Sequence, residues 1–240
     1  MVTLYGEIKP LLQKAKSPMA LTGAGISKES GIPTFRGAEG LWRRFRAEEL
    51  ATPEAFAKDP DFVWEFYNER RADMLKASPN PAHLALADYE RRNPQFNLIT
   101  QNIDGLHQRA GSEAVTELHG NIWRIRCVRC SFKREERRIP FPSKEPCPEC
   151  GERLRPDIVW FGEMLDPIIV SKVIGLIRSC DLLLVVGTSS VVQPAASFIY
   201  EAKGYGATLI EVNPEETVVS QIADFHLEGP AGKILPELLS

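Results

Sequence analysis

The chain is 240 residues long, 43% hydrophobic and 25% charged, with 29 Lys+Arg against 32 Asp+Glu for a net charge of −3. That is the composition of an ordinary soluble globular protein, long enough for one large domain or a domain plus a small module with ample core. The slightly negative total argues against the whole molecule being a nucleic-acid binder, and no apolar stretch reaches the ~18–20 residues that span a bilayer, so no membrane partner is expected.

Residues 1–16 carry mixed charges and no apolar central run, so no secretory signal is expected and the cytoplasm is the expected compartment. A short apolar run, 19–21, reads as a first strand. It is followed by Thr22-Gly23-Ala24-Gly25-Ile26-Ser27-Lys28. Glycines at 23 and 25 allow a tight turn and close approach of a bulky anion, because no Cβ stands in the way. Strand, glycine turn and helix start is how α/β proteins hold the pyrophosphate of a dinucleotide. The third glycine of that fingerprint is missing, with Lys28 in its place, and the loop runs on through Phe35 and Arg36 to Gly37. Phosphate binding alone does not need such an extension.

Residues 38–79 read as a helical, aromatic-rich insertion. A helical pattern over 80–92 leads to an apolar run at 96–100 that ends in Gln101-Asn102-Ile103-Asp104. A further run at 115–118 ends in His119-Gly120. Beyond the cysteine-bearing stretch 122–155, a helical pattern over 167–180 precedes the continuously apolar 182–186 and Gly187-Thr188-Ser189. The last run, 208–212, ends in Asn213-Pro214. Uninterrupted apolar strands alternating with helices predict an α/β fold with a doubly wound parallel sheet, Rossmann-like, in the large domain. Ligands of such sheets bind at the carboxyl ends of the strands, where each of these polar clusters lies. The expected organisation is a nucleotide-binding domain from 1–37, 80–121 and 156–240. A small lobe is expected from the helical module 38–79 and the cysteine module 122–155.

Cys127-x2-Cys130 and Cys147-x2-Cys150, sixteen residues apart, have the spacing of a four-thiolate zinc ribbon. Four protein ligands leave no open coordination position, so the predicted zinc is structural. Cys180, at an apolar helix end, reads as core. Residues 121–155 hold ten Lys/Arg against five Asp/Glu, which reads as a solvated basic face, since no aromatic interleaving supports base stacking.

Taken together these segments resemble the sirtuins, the NAD-dependent protein-lysine deacylases. The matching pieces, in the family's order, are Gly23-Ala24-Gly25-Ile26-Ser27, Ser30-Gly31-Ile32-Pro33, Phe35-Arg36-Gly37, Thr100-Gln101-Asn102-Ile103-Asp104 and Leu118-His119-Gly120. They continue with the four cysteines, Val159-Trp160-Phe161-Gly162-Glu163, Gly187-Thr188-Ser189 and Val212-Asn213-Pro214. The chain is most similar to the class III branch, whose members remove acidic acyl groups; Thr34 stands where other branches commonly have Asp.

The resemblance implies that NAD is consumed as a co-substrate, with an acyl-lysine amide oxygen displacing nicotinamide. Such chemistry must hold two reactants in line and exclude water. Gly23, Ala24 and Gly25 are then expected to cradle the pyrophosphate, and Phe35 and Arg36 to cover and orient the nicotinamide ribose. Asp104 and the Ile103 backbone would hold the carboxamide, while Gln101 and Asn102 contact the ribose or an ordered water, Asn102 among the catalytic residues. Gly187, Thr188, Ser189 and Asn213 would hold phosphate and adenosine ribose, with Ala231 near the adenine. His119 is the expected general base, since an imidazole titrates near neutrality; without the resemblance it reads as a core histidine. His83, His107 and His226 read as structural or surface residues.

Val159, Phe161, Gly162 and Glu163 are expected to seat an extended acyl-lysine peptide as an added strand against the loop after Gly187. Tyr67 and Arg70, three apart on one helix face, would grip the carboxylate of a succinyl or malonyl group, with Ala51 making room. Without the resemblance Arg70 reads as a solvated helix residue. A monomer acting on acylated-lysine proteins is expected. The alternatives are a plain deacetylase or mono-ADP-ribosyltransferase on the same site, a nicotinamide-dependent dehydrogenase, and a non-enzymatic zinc-ribbon adaptor.

Overall fold

The computed structural model describes residues 2–34 and 47–240. Its large sheet is parallel throughout, built from β1 (Pro18–Thr22), β2 (Asn97–Thr100), β3 (Val115–Glu117), β7 (Leu182–Val186), β8 (Thr208–Asn213) and β9 (Phe225–Glu228) in the spatial order β3-β2-β1-β7-β8-β9. The order reverses between β1 and β7, which makes the carboxyl ends of those two strands the switch point where open α/β sheets bind ligands. β9 was not among the five runs expected from sequence. It lies at the sheet edge, half-buried, and its Phe-His-Leu-Glu alternation lacks the continuous apolar character of β7.

Both faces of the sheet are covered. Ala20, Leu98, Leu184 and Ile210 pack on α1 (Val2–Lys14), α5 (Pro81–Arg92) and α9 (Ala231–Leu238) through Ile8, Leu86 and Leu235. Met19, Leu21, Ile99, Leu183 and Leu209 face the opposite way, against Val173 and Ile177 of α7 (Pro167–Ser179) and Phe198 and Ile199 of α8 (Ala195–Gly204). Adjacent strand residues thus alternate between two cores, so β7 is apolar at every position and β1 at all but Thr22, whose buried hydroxyl bonds Thr100 and His107.

The small lobe has its own core and its own sheet. β4 (Gly120–Cys127) pairs antiparallel with β5 (Lys133–Glu135) on one side and β6 (Leu154–Ile158) on the other. Because β4 starts at Gly120 and β6 ends at Ile158, this sheet runs past the boundaries at 121 and 156 expected from composition. Between α2 (Ala47–Leu50) and α5 lie α3 (Pro53–Lys58) and α4 (Pro60–Lys76), which bring Phe56, Trp64 and Tyr67 against Ile122, Ile125, Phe141 and Trp160. The basic excess of this lobe is largely neutralised in place. Arg124 bonds Glu117 and Asp157, Lys133 also reaches Asp157, and Arg134 and Arg138 share Glu136 and Glu145. Hydrogen bonds from Arg138 are the largest cause pulling the Glu136 carboxyl down to about 2.

Candidate functional site

Two glycine loops meet at the switch point. The N–H of Gly23 donates to the Val186 carbonyl at 3.0 Å and that of Gly25 to the Gly187 carbonyl at 2.7 Å. A Cβ on Gly25 would lie 2.7 Å from the Gly187 oxygen and 2.8 Å from its Cα. Gly187 is left-handed, at φ +59°, and a Cβ there would overlap the backbone nitrogen of Ile26. The glycines at 25 and 187 are therefore required first by each other. A seven-residue 3-10 helix, Ala24–Ser30, follows the first loop and is tied to the C-terminal helix, where Gly232 N donates to the Glu29 carboxylate at 2.7 Å. That contact sets Ala231, at the start of α9, beside the loop.

The end of β2 supplies the polar centre. Asn102 donates from Nδ2 to the Gly23 carbonyl at 3.1 Å and to Ser27 Oγ at 3.2 Å, while Gln101 Nε2 donates to Thr188 Oγ1 at 3.0 Å. Ser27 in turn donates to Asp104 Oδ2 at 2.8 Å, and Leu106 N donates to Asp104 Oδ1 at 2.8 Å. Asp104 is buried, and burial raises its pKa despite those two donors. Asn102, Ile103 and Asp104 line a small pocket with Ala24, Ser27 and Arg70. The second glycine loop completes the crevice: Ser189 is exposed and Asn213 Nδ2 donates to the Thr188 carbonyl at 3.4 Å. The segment after Asn213 is held by the buried carboxylate of Glu211, which accepts from Thr217 and Ser220 and bonds His226.

His119 sits between the two lobes, where β3 gives way to β4, half-buried. Its Nδ1 lies 2.9 Å from the Gln101 carbonyl oxygen. A carbonyl only accepts, so Nδ1 carries the proton and Nε2 of the neutral ring is the acceptor. Burial lowers the imidazole pKa, the carbonyl bond opposing it, so the ring is in its neutral form at neutral pH.

The expected peptide run follows β6. Val159 N donates to the His119 carbonyl, Phe161 N to the Ala51 carbonyl, Glu163 N to the Trp160 carbonyl, and Trp160 N to the Glu163 carboxylate. Four N–H groups of the run are thus engaged within the chain. Phe161 is 43% exposed and Gly162 is exposed beside it, so this corner is open to a partner. Ala51 is buried, as are Tyr67 and Arg70 of α4. Arg70 is therefore not the solvated helix residue that its type suggests. Arg71 points elsewhere: it is fully buried, bonds the Ile122 carbonyl at 2.9 Å and lies over Trp64. Separately, a cleft of about 740 Å³ opens between Phe56 and Pro60 of the helical insertion and Arg126 and Phe132 of the cysteine module.

The four cysteines converge as their spacing predicts. All four Sγ atoms lie within 4.8 Å of one another, with Cys127 to Cys150 at 3.4 Å and Cys130 to Cys147 at 3.5 Å. Four sulfurs at about 2.3 Å from a common tetrahedral centre stand at such separations, so Cys127, Cys130, Cys147 and Cys150 fit a structural zinc. Cys180 is buried in the sheet domain, as core.

Phe35 and Arg36 lie outside the described residues. Two residues at the centre of the network were not expected there from sequence, Ser27 having been given no role of its own and His83 having been read as structural or surface. Ser27 bridges Asn102 and Asp104, and His83, fully buried, places Nε2 at 3.4 Å from Ser27 Oγ. His83 is held by a capping box: Asn80 N donates to its Nδ1 while the Asn80 side chain caps α5. The Asn80-Pro81 pair signals that helix start, but nothing in it signals which partner the imidazole meets.

The Sir2 family model matches residues 23–194. An NAD-dependent protein deacylase of Pyrococcus furiosus is 50% identical over 242 residues, covering 98% of this chain and 97% of that protein. Among solved structures, a Sir2 homologue in complex with NAD superposes with a TM-score of 0.92 at 47% identity, covering 98% of this chain and 92% of that one. A Sir2 structure with deacetylated p53 peptide and 3′-O-acetyl ADP-ribose gives 0.86 at 36% identity, covering 98% and 96%. With that family match over most of its length and half its residues shared with a near-full-length relative, this chain belongs to the Sir2 family, the sirtuins.

Proposed function

We propose that this sirtuin is an NAD-dependent protein-lysine deacylase that removes succinyl and malonyl groups faster than acetyl groups, releasing nicotinamide and O-acyl-ADP-ribose. The observation that carries the acyl preference is the burial of Tyr67 and Arg70 on one face of α4, with Arg70 lining the same small pocket as Asn102 and Asp104. A guanidinium in that position attracts a carboxylate arriving on the acyl chain, and a phenol three residues away supplies a second donor. Ala51, small and buried, leaves space beside them.

The other residues divide the work. Gly23, Ala24 and Gly25, with Gly187, Thr188, Ser189 and Asn213, bind the phosphates and adenosine ribose of NAD, and Ala231 faces the adenine. Asp104 and Ile103 hold the carboxamide, and Gln101 and Asn102 the ribose; Phe35 and Arg36 cover the leaving nicotinamide. His119 takes a ribose hydroxyl proton at Nε2, a role supported by the Nδ1 bond to Gln101. The peptide lies along Val159, Phe161, Gly162 and Glu163. Since most N–H groups of that run are engaged, the peptide pairs chiefly through the run's carbonyls. The sheet domain carries NAD, and the small lobe, expected from 38–79 and 122–155, contributes Ala51, Tyr67 and Arg70 to the acyl-lysine site.

A panel of succinyl-, malonyl- and acetyl-lysine peptides, read by NAD-dependent nicotinamide release, tests this. Succinyl and malonyl kcat/KM should exceed acetyl, and Arg70→Met should lower the succinyl-to-acetyl ratio by roughly 10- to 100-fold, the worth of a charged hydrogen bond. An equal loss on all peptides would remove the carboxylate grip and leave a plain deacetylase.

A further inference from the structure

Tyr67 is connected in one direction only. Trp160 Nε1 lies 2.9 Å from the Tyr67 hydroxyl, with both side chains buried and the rings 29° from parallel. An indole N–H donates and never accepts, so the phenol oxygen is the acceptor and its own proton points away from Trp160. No described residue takes that proton. Burial pushes the Tyr67 pKa up to about 12, so the phenol keeps its proton at every working pH. A buried hydroxyl ordinarily satisfies its donor, and here the donor is held ready for an acceptor brought by a ligand.

The indole itself is fixed. The Arg155 guanidinium lies 3.3 Å above the Trp160 ring. Arg155 makes two bonds to Glu163, at 2.6 and 2.9 Å, and a third to the Ile158 carbonyl at 2.8 Å. Glu163 closes the loop by accepting from Trp160 N at 2.8 Å, and Phe56 packs 5.3 Å from the indole. The cation–π stack and the bidentate ion pair hold the ring plane, and with it the direction of the indole N–H.

We propose that Trp160 is a positioning residue for acidic acyl groups. By occupying the acceptor side of the Tyr67 hydroxyl, it commits the phenol proton to the carboxylate of the incoming acyl chain, beside Arg70. The Arg155–Glu163 pair keeps it in that orientation. This rests on the acidic-acyl reading above. An acetyl group has no carboxylate, so it cannot use the relay. A tryptophan serving only as packing affects every acyl group alike.

The test is the ratio of succinyl to acetyl kcat/KM in the full-length protein, a quantity that does not depend on how much of a variant is folded. Trp160→Phe keeps an aromatic side chain and removes the indole N–H; the ratio should fall roughly 3- to 10-fold, mainly through the succinyl KM, as expected for one lost hydrogen bond. Tyr67→Phe should also lower it, and the double variant should lose no more than Tyr67→Phe alone, because the relay acts only through that hydroxyl. An unchanged ratio in Trp160→Phe, or additive losses in the double variant, overturns the relay. Should Trp160→Phe not fold, an unchanged ratio in Tyr67→Phe overturns it equally. Arg70→Met separates the two readings. A ratio that falls there but not in Trp160→Phe removes the relay alone, and one that falls in neither removes the acidic-acyl reading with it.

Discussion

At the scale of single residues, His119 shows what geometry adds to a motif. A histidine followed by glycine at a strand end suggests a base; the Gln101 carbonyl at Nδ1 fixes the tautomer in which Nε2 is an acceptor, as the proposed role requires. Its pKa is lowered by burial from the ordinary 6.5. In the proposed role the imidazole works when neutral, so activity should be lost as pH falls through the folded pKa. The acid limb of a kcat/KM profile should therefore have its midpoint below 6.5, and His119→Ala should cost roughly 10²- to 10⁴-fold in turnover. An acid limb centred above neutrality would give the role to another group. Ser27, His83 and Trp160 were not resolved as individual site residues from sequence, because their part depends on side chains 50 or more positions away.

At the scale of elements, the helical patterns at 80–92 and 167–180 were readable with their starts, whereas 38–79 was read only as one helical stretch. Thr52-Pro53, Asp59-Pro60, Asn80-Pro81 and Asp166-Pro167 each pair a capping side chain with proline at the first helical position, and each opens a helix. Of the parallel sheet, five strands were nearly as plain and half-buried β9 was not, and none of the small-lobe strands β4, β5 and β6 was read, although β6 is fully buried. The glycine loop was readable as a loop but not for its main constraint. Gly25 faces the backbone of Gly187, 162 positions away, so Gly25→Ala should push the two loops apart. We expect a loss of about 1–3 kcal/mol in stability, typical of overpacking, together with weaker NAD binding. A melting temperature equal to that of the parent would show that the loops separate freely.

At the scale of the molecule, two lobes with separate cores share His119 and the Val159–Glu163 run at their junction. Cys127 and Cys147 belong to the small-lobe core, so a metal there holds together hydrophobic packing that includes Tyr67 and Trp160. Removing zinc with a chelator, or Cys150→Ser, should lower the melting temperature and abolish turnover, with zinc loss followed by metal analysis. A chelated protein that is metal-free yet unchanged in both would make the cluster dispensable.

The sequence by itself determined the parallel sheet, the metal ligands and the strand-end clusters. Each is written in local periodicity or short spacing, which a chain carries with it unfolded. The tertiary structure decided the strand order, the edge strand, the mutual demand of Gly25 and Gly187, and which arginine of the Arg70-Arg71 pair faces the pocket. It also decided the direction of the Trp160–Tyr67 bond. These depend on groups distant in the chain and adjacent only once both cores have formed, where a difference of one helical position separates a pocket from a core.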